Sequence, residues 1–300
     1  MSLRTSRSGP ARKLALLALC VFTFLLAFDR CHADAINFVE KPWDQLPNHD
    51  VGDEGQLALS VRPNAWLHGE SPNWILHYRR ITEAKRVALE IDFHMNFVSK
   101  TLGAKPDQIA HKANVFIFED DKDWKEFMAK RPPDNLAFAA SFATGENLFL
   151  NVRNGTTGMF NSQILAHETT HAIVARIFHR NPPLWLSEGF AEEMSGRSTG
   201  ARMGQYNQRL LQHSQTPPLS VDQLVAIREY PQDLNEVYRL YENSEKLVRF
   251  LMTNTPPEPF QKLFGALLEG EDLPTLIPKY CGNKFPTYAA FTQAYARLPK

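Results

Sequence analysis

The sequence predicts an α+β fold, with a mixed-sheet N-terminal lobe and a mainly helical C-terminal lobe. Three observations carry this. Short β-branched and aromatic runs, such as Val115-Phe116-Ile117-Phe118, are confined to the first half of the chain. After Gly196 the pattern is helical, cut at Pro217-Pro218, Pro231 and Pro256-Pro257. Between these regions lies one apolar run, residues 164 to 174, that holds two histidines and a glutamate.

Taken in order, residues 1–35 read as a secretory signal peptide. Arg4, Arg7, Arg12 and Lys13 form a basic start, Leu14 to Phe28 an apolar segment, and Ala33-Asp34-Ala35 a cleavage site after Ala35. The apolar segment is shorter than the roughly 20 residues a membrane span needs. The expected destination is therefore secreted or periplasmic, with no transmembrane segment in the mature chain. Of 33 basic and 33 acidic residues, 28 and 31 would remain. That balance gives no electrostatic case for a nucleic-acid partner. Cys281 would be the only cysteine left, so no internal disulfide is expected.

Residues 36–80 read as an N-terminal extension with two short strands, Leu57 to Val61 and Trp74 to Tyr78, forming a hairpin or two edges. Trp43, Trp66 and Trp74 are expected to be packing aromatics rather than a sugar-binding surface. From 81 to 160 a mixed sheet and helix lobe is expected. Val87, Ile91, Met95, Val98 and Leu102 keep helical spacing until Gly103, with His94 as a structural residue. Asp121 to Lys130 follows as a short helix, and Ala137 to Val152 as two strands around Thr144-Gly145-Glu146-Asn147. Residues 161–196 form two central helices. Residues 197–300 form the helical lobe, with helices near 203–213, 221–229, 233–253, 258–268 and 286–297.

The central run reads Ile164-Leu165-Ala166-His167-Glu168-Thr169-Thr170-His171-Ala172-Ile173-Val174. On a helix, His167 and His171 share one face a turn apart, and two imidazoles so placed can bind one metal ion. Zn2+ favours such nitrogen donors and keeps a position for water in catalytic sites. Glu168 is placed to take that water's proton. Asn161 or Ser162 can cap this helix, and Asn181-Pro182-Pro183 stops it. The metzincin pattern would need Gly and His where Val174 and Ile177 stand, so that class is excluded. A chain reversing at Asn181-Pro182-Pro183 returns through Leu184-Trp185-Leu186-Ser187-Glu188-Gly189-Phe190-Ala191. Glu188 can then face both histidines as third ligand. Glu192, one turn on, can accept a hydrogen bond from a ligand imidazole. Glu193 points elsewhere, and its loss is expected to do little.

His-Glu-x-x-His followed by Trp-Leu-x-Glu-Gly-Phe-Ala resembles the gluzincin metallopeptidases, over about residues 160 to 195. The resemblance implies a zincin-like fold over residues 81–300 and one zinc per chain on His167, His171 and Glu188. It implies Glu168 as general base, Glu192 behind a ligand histidine, and a peptide or protein substrate. It also implies that the strand just before the metal helix, Asn147 to Val152, is the sheet edge lining the cleft. Related enzymes stabilise the oxyanion with a Tyr or His of the helical lobe. Tyr241 fits that role best, ahead of Tyr238, with His179 and His213 as remaining candidates. The expected protein is a secreted zinc metallopeptidase. The alternative is a zincin-fold binding or scaffold protein of the cell envelope that has lost turnover.

Overall fold

A computed structural model describes residues 37–132, 141–152, 159–203 and 217–298, without the side chains of 159–161 and 203. The expected signal peptide, most of the 203–213 helix and His213 lie outside the described residues.

The chain enters through β1 (Val39–Glu40), α1 (Gly52–Leu59), β2 (Leu67–Glu70) and β3 (Trp74–Tyr78). Leu57 to Val61 is therefore not a strand: its first three residues end α1. The alternation of Leu57, Leu59 and Val61 mimics a strand. What buries the segment is the helical spacing of Val51, Gly55 and Ala58. The strand antiparallel to β3 is instead β2, with Leu67 opposite Tyr78. Trp66 and Trp74 are buried, whereas Trp43 stays partly exposed against His49, His68 and His77.

Helix α2 (Ile81–Leu102) buries Val87, Ile91, Met95 and Val98, with His94 on the same face. Gly103 stops it at φ 65°, where glycine alone lacks the steric cost of the left-handed region. Then come β4 (Ala113–Phe118), α3 (Asp121–Lys130), β5 (Ser141–Thr144) and β6 (Asn147–Asn151). The six strands form one mixed sheet in the order β1-β2-β3-β4-β6-β5. β3, β4 and β6 are parallel, and antiparallel pairs flank them on both sides. Both faces of the middle strands are covered, which is why they read as continuous apolar runs. Val115, Ile117, Leu148 and Leu150 face the main helical core. Phe116, Phe118 and Phe149 stack in an aromatic layer with Phe127 and Phe142.

The sheet edge is β5, not the Asn147–Val152 strand. The β5–β6 hairpin turns over Gly145 and Glu146, which leaves β6 inside and makes β5 outermost on that side among the described residues.

Helix α4 (Met159–Phe178) and helix α5 (Leu184–Met203) follow. Ser162 lies inside α4 rather than capping it, and its hydroxyl donates to Glu90 Oε2 at 2.9 Å. The helical lobe adds α6 (Val221–Val225), α7 (Leu234–Asn254), α8 (Pro257–Leu268), α9 (Leu273–Cys281) and α10 (Tyr288–Ala296). From Phe38 onward the chain is one structural unit, so the strands of the expected extension belong to the same sheet as the rest. The fold is α+β with a mixed sheet. No described helix is long and apolar enough to cross a membrane.

Candidate active site

Two helices and the turn between them bring the site together. α4 ends at Phe178, and His179 takes a left-handed φ of 53° while its N–H still bonds Ala175 O at 2.7 Å. Pro182 and Pro183 cannot continue a helix bond, and the carbonyl of Pro183 starts α5 by accepting from the N–H groups of Leu186 and Ser187. α5 thus returns along α4 with Glu188 opposite the two histidines.

The ligand-type atoms of His167, His171 and Glu188 all lie within 4.8 Å of one another. The two Nε2 atoms are 3.0 Å apart. Glu188 Oε2 lies 3.4 Å from His167 Nε2, and Oε1 3.7 Å from His171 Nε2. Each imidazole is anchored behind. Glu192 Oε1 is 3.5 Å from His167 Nδ1, and Ser187 Oγ is 3.2 Å from His171 Nδ1. Those partners leave the Nε2 atoms for whatever lies between them.

The donor set fits a zinc ion. Two nitrogens on one tetrahedral zinc, each about 2.0–2.1 Å from it, would be roughly 3.3 Å apart, close to the separation here. Buried Glu188 Oε2 has no hydrogen-bond partner among the described residues. A buried carboxylate oxygen is costly unless a cation compensates it; here the nearest positive group is the His167 ring at 3.4 Å, and a metal ion held by both would take over that role.

The local charges hold one another. Burial opposes charging of His167, but the carboxylates of Glu188, Glu192 and Glu168 outweigh this and raise its pKa to about 9. Burial would raise Glu188, yet His171 and His167 draw it well below the carboxylate range. Glu168 is pushed up, by burial first and by Glu188, against the pull of the two histidines and of the Ala143 N–H it accepts. A raised carboxylate is a stronger base, which suits proton transfer.

Glu168 opens onto a cleft of about 870 Å3. Its walls are the edge strand β5, the facing sides of α4 and α5, the segment Tyr230-Pro231-Gln232, and Val237 and Tyr241 of α7. Tyr241 sits with its ring 6.1 Å from that of His167. Burial and the nearby Glu188 raise its pKa, so it keeps its proton as a donor. Tyr238 does not line the cleft. His179 is exposed and lies 3.6 Å from Glu146.

Two residues at the site were not singled out from sequence. Ser187 stands directly before Glu188, and the expected role of that neighbour as a ligand is the available signal. Tyr230 donates to Glu188 Oε1 at 2.6 Å from a stretch between helices, and no local pattern marks it. No protein-family model matches this sequence, and no curated protein matches it significantly.

Proposed function

We propose that the protein is a zinc metallopeptidase of the zincin-like, gluzincin type, exported by its N-terminal signal segment. The observation that carries this is the convergence of His167, His171 and Glu188 beside Glu168 at the floor of the cleft. His167 and His171 would offer nitrogen and Glu188 oxygen to the ion, with Glu192 and Ser187 orienting the imidazoles. When bound, the zinc supplies Lewis-acid polarisation of the scissile carbonyl and acidifies a water.

The chain's own groups do the rest. Glu168 accepts the proton of the attacking water and delivers it to the leaving amine. Tyr241 donates a hydrogen bond to the oxygen that gains negative charge. β5 offers the sheet edge at the cleft, where an extended peptide could add as a further strand. A cleft of this volume lies within the range of ligand sites.

The test compares wild type with Glu168→Gln on a broad peptide library, with zinc content measured in both. Glutamine keeps shape and polarity but cannot take the proton. Both should hold zinc, and hydrolysis by the variant should fall by about 10^2-fold or more. Equal rates would refute the mechanism. Zinc in both without turnover in either would favour the binding or scaffold reading.

A further inference from the structure

Tyr230 lies outside both metal-site helices, yet it reaches the centre of the site. It precedes Pro231, which restricts its backbone to extended conformations. Three residues later Asp233 caps α7, its side chain accepting from the N–H groups of Asn235 and Glu236 at 3.0 and 3.1 Å. Tyr230 and Tyr241 therefore hang from one anchored segment, and both line the cleft.

The hydroxyls form a chain. Tyr241 donates to the oxygen of Tyr230, and Tyr230 donates to Glu188 Oε1. Each phenol has one proton, and Tyr230 spends its own on Glu188 Oε1 at 2.6 Å, so toward Tyr241 it can only accept. Of the two Glu188 oxygens, Oε1 is thereby occupied and Oε2 has no hydrogen-bond partner among the described residues. The oxygen left over is the one 3.4 Å from His167 Nε2.

We propose that Tyr230 is a positioning residue for the metal centre, turning one oxygen of Glu188 toward the ion and fixing Tyr241 beside it. This rests on the zinc reading above. A donor to the non-ligating oxygen of a metal carboxylate holds its orientation, as partners behind ligand histidines do. In the resting site Tyr241 gives its one proton to Tyr230, and that proton turns to the substrate oxygen as charge develops there, so the two tyrosines act as a unit. A tyrosine that only filled space would need its ring and not its oxygen.

Tyr230→Phe separates these roles, because it keeps the ring. Zinc affinity of wild type, Tyr230→Phe, Tyr241→Phe and the double variant is measured by competition with a chromophoric chelator. Melting of each metal-free protein serves as the folding control. Tyr230→Phe should bind zinc about 10- to 100-fold more weakly. Tyr241→Phe should stay within about threefold of wild type, since Tyr241 does not touch Glu188 through this chain. Metal-free melting temperatures should change little. In turnover, the kcat of the double variant should match Tyr241→Phe alone within about twofold, the mark of coupled residues. Wild type without zinc would overturn the metal reading and this inference with it. Wild type with zinc, and Tyr230→Phe holding it equally tightly, would overturn this inference alone.

Discussion

Glu192 and Glu193 are neighbours on α5 and serve different ends. Glu192 stands behind His167, so Glu192→Ala should weaken zinc binding by about 10- to 100-fold while the fold persists, read by chelator competition. Glu193 does point away from the metal site, as its place on the helix predicts. Its loss is expected to leave zinc affinity and activity alone, but to cost stability, because it is 1% exposed and lies between Arg197 at 2.6 Å and Arg249 at 2.8 Å. Removing it takes a carboxylate partner from both guanidinium groups, although Arg249 keeps Glu245. Those arginines are about one-third exposed and Arg249 has a second partner, so the cost should be about 1–3 kcal/mol, below what a fully buried broken pair gives. Denaturant midpoints of Glu193→Ala, with zinc affinity unchanged, check this. At this scale the ligand helices were legible because i, i+4 spacing and the Pro182-Pro183 reversal are local features. The burial of Glu193 depends on α7, fifty-odd residues later, and no local signal contains it.

At the scale of elements, the crossing of α5 and α7 positions Tyr241, the proposed oxyanion donor. Gly189, directly after Glu188, is where the helices come closest: a Cβ there would lie 2.3 Å from the carbonyl oxygen of Ser244. Backbone cannot give way as a side-chain tip can. Gly189→Ala should push α7 outward and cost about 1–3 kcal/mol. Because Tyr241 rides on α7, kcat should fall together with the melting temperature. Unchanged values of both would show that the helices do not meet so closely. α9 lies between the helices expected from sequence, and Pro274 and Pro278 dilute its helical signal. Pro274 sits in the first turn, where no helix bond is lost, and Leu273, Leu276, Ile277 and Cys281 bury one face, outweighing the cost of Pro278. The edge strand was misassigned by one position. A two-strand hairpin can lie either way round in a sheet, and only the pairing of β6 with β4 decides which strand faces the cleft.

For the whole molecule, stability should depend on pH through two histidines that never meet the site. His77 and His94 are buried, and desolvation holds both near pKa 3, against 6.5 in the unfolded chain. Above pH 6.5 neither state binds the proton. As pH falls from 6.5 the unfolded chain takes up two protons that the folded one refuses, so stability drops, and the loss is complete only near pH 3. By pH 5 the loss should be about 2 kcal/mol for each histidine. His167 does not confuse that window. Its metal-free value of about 9 gives a stabilisation fully present below pH 6.5 and lost as pH rises through 9. Urea unfolding at pH 7 and pH 5 measures the effect, to which His68, also lowered by burial beside His77, adds with the same sign, and His94→Gln should remove about 2 kcal/mol of it. A pH-independent midpoint would mean that one or both rings charge in the folded state.

Sequence alone determined the division into a mixed-sheet half and a helical half, the long amphipathic helix at 81–102, and the grouping of His167, Glu168, His171 and Glu188. All of these are written in periodicity, capping and short spacings, which act between residues near one another in the chain. Tertiary structure alone decided that β5 is the edge among the described strands, that Ser187 stands behind His171 and Tyr230 behind Glu188, that Tyr241 rather than Tyr238 lines the cleft, and that Glu193 holds two arginines. Each of those depends on which distant element packs alongside. That choice comes from burying surface and satisfying polar groups across the whole chain, and hydrophobic burial, being non-directional, leaves no local motif to read.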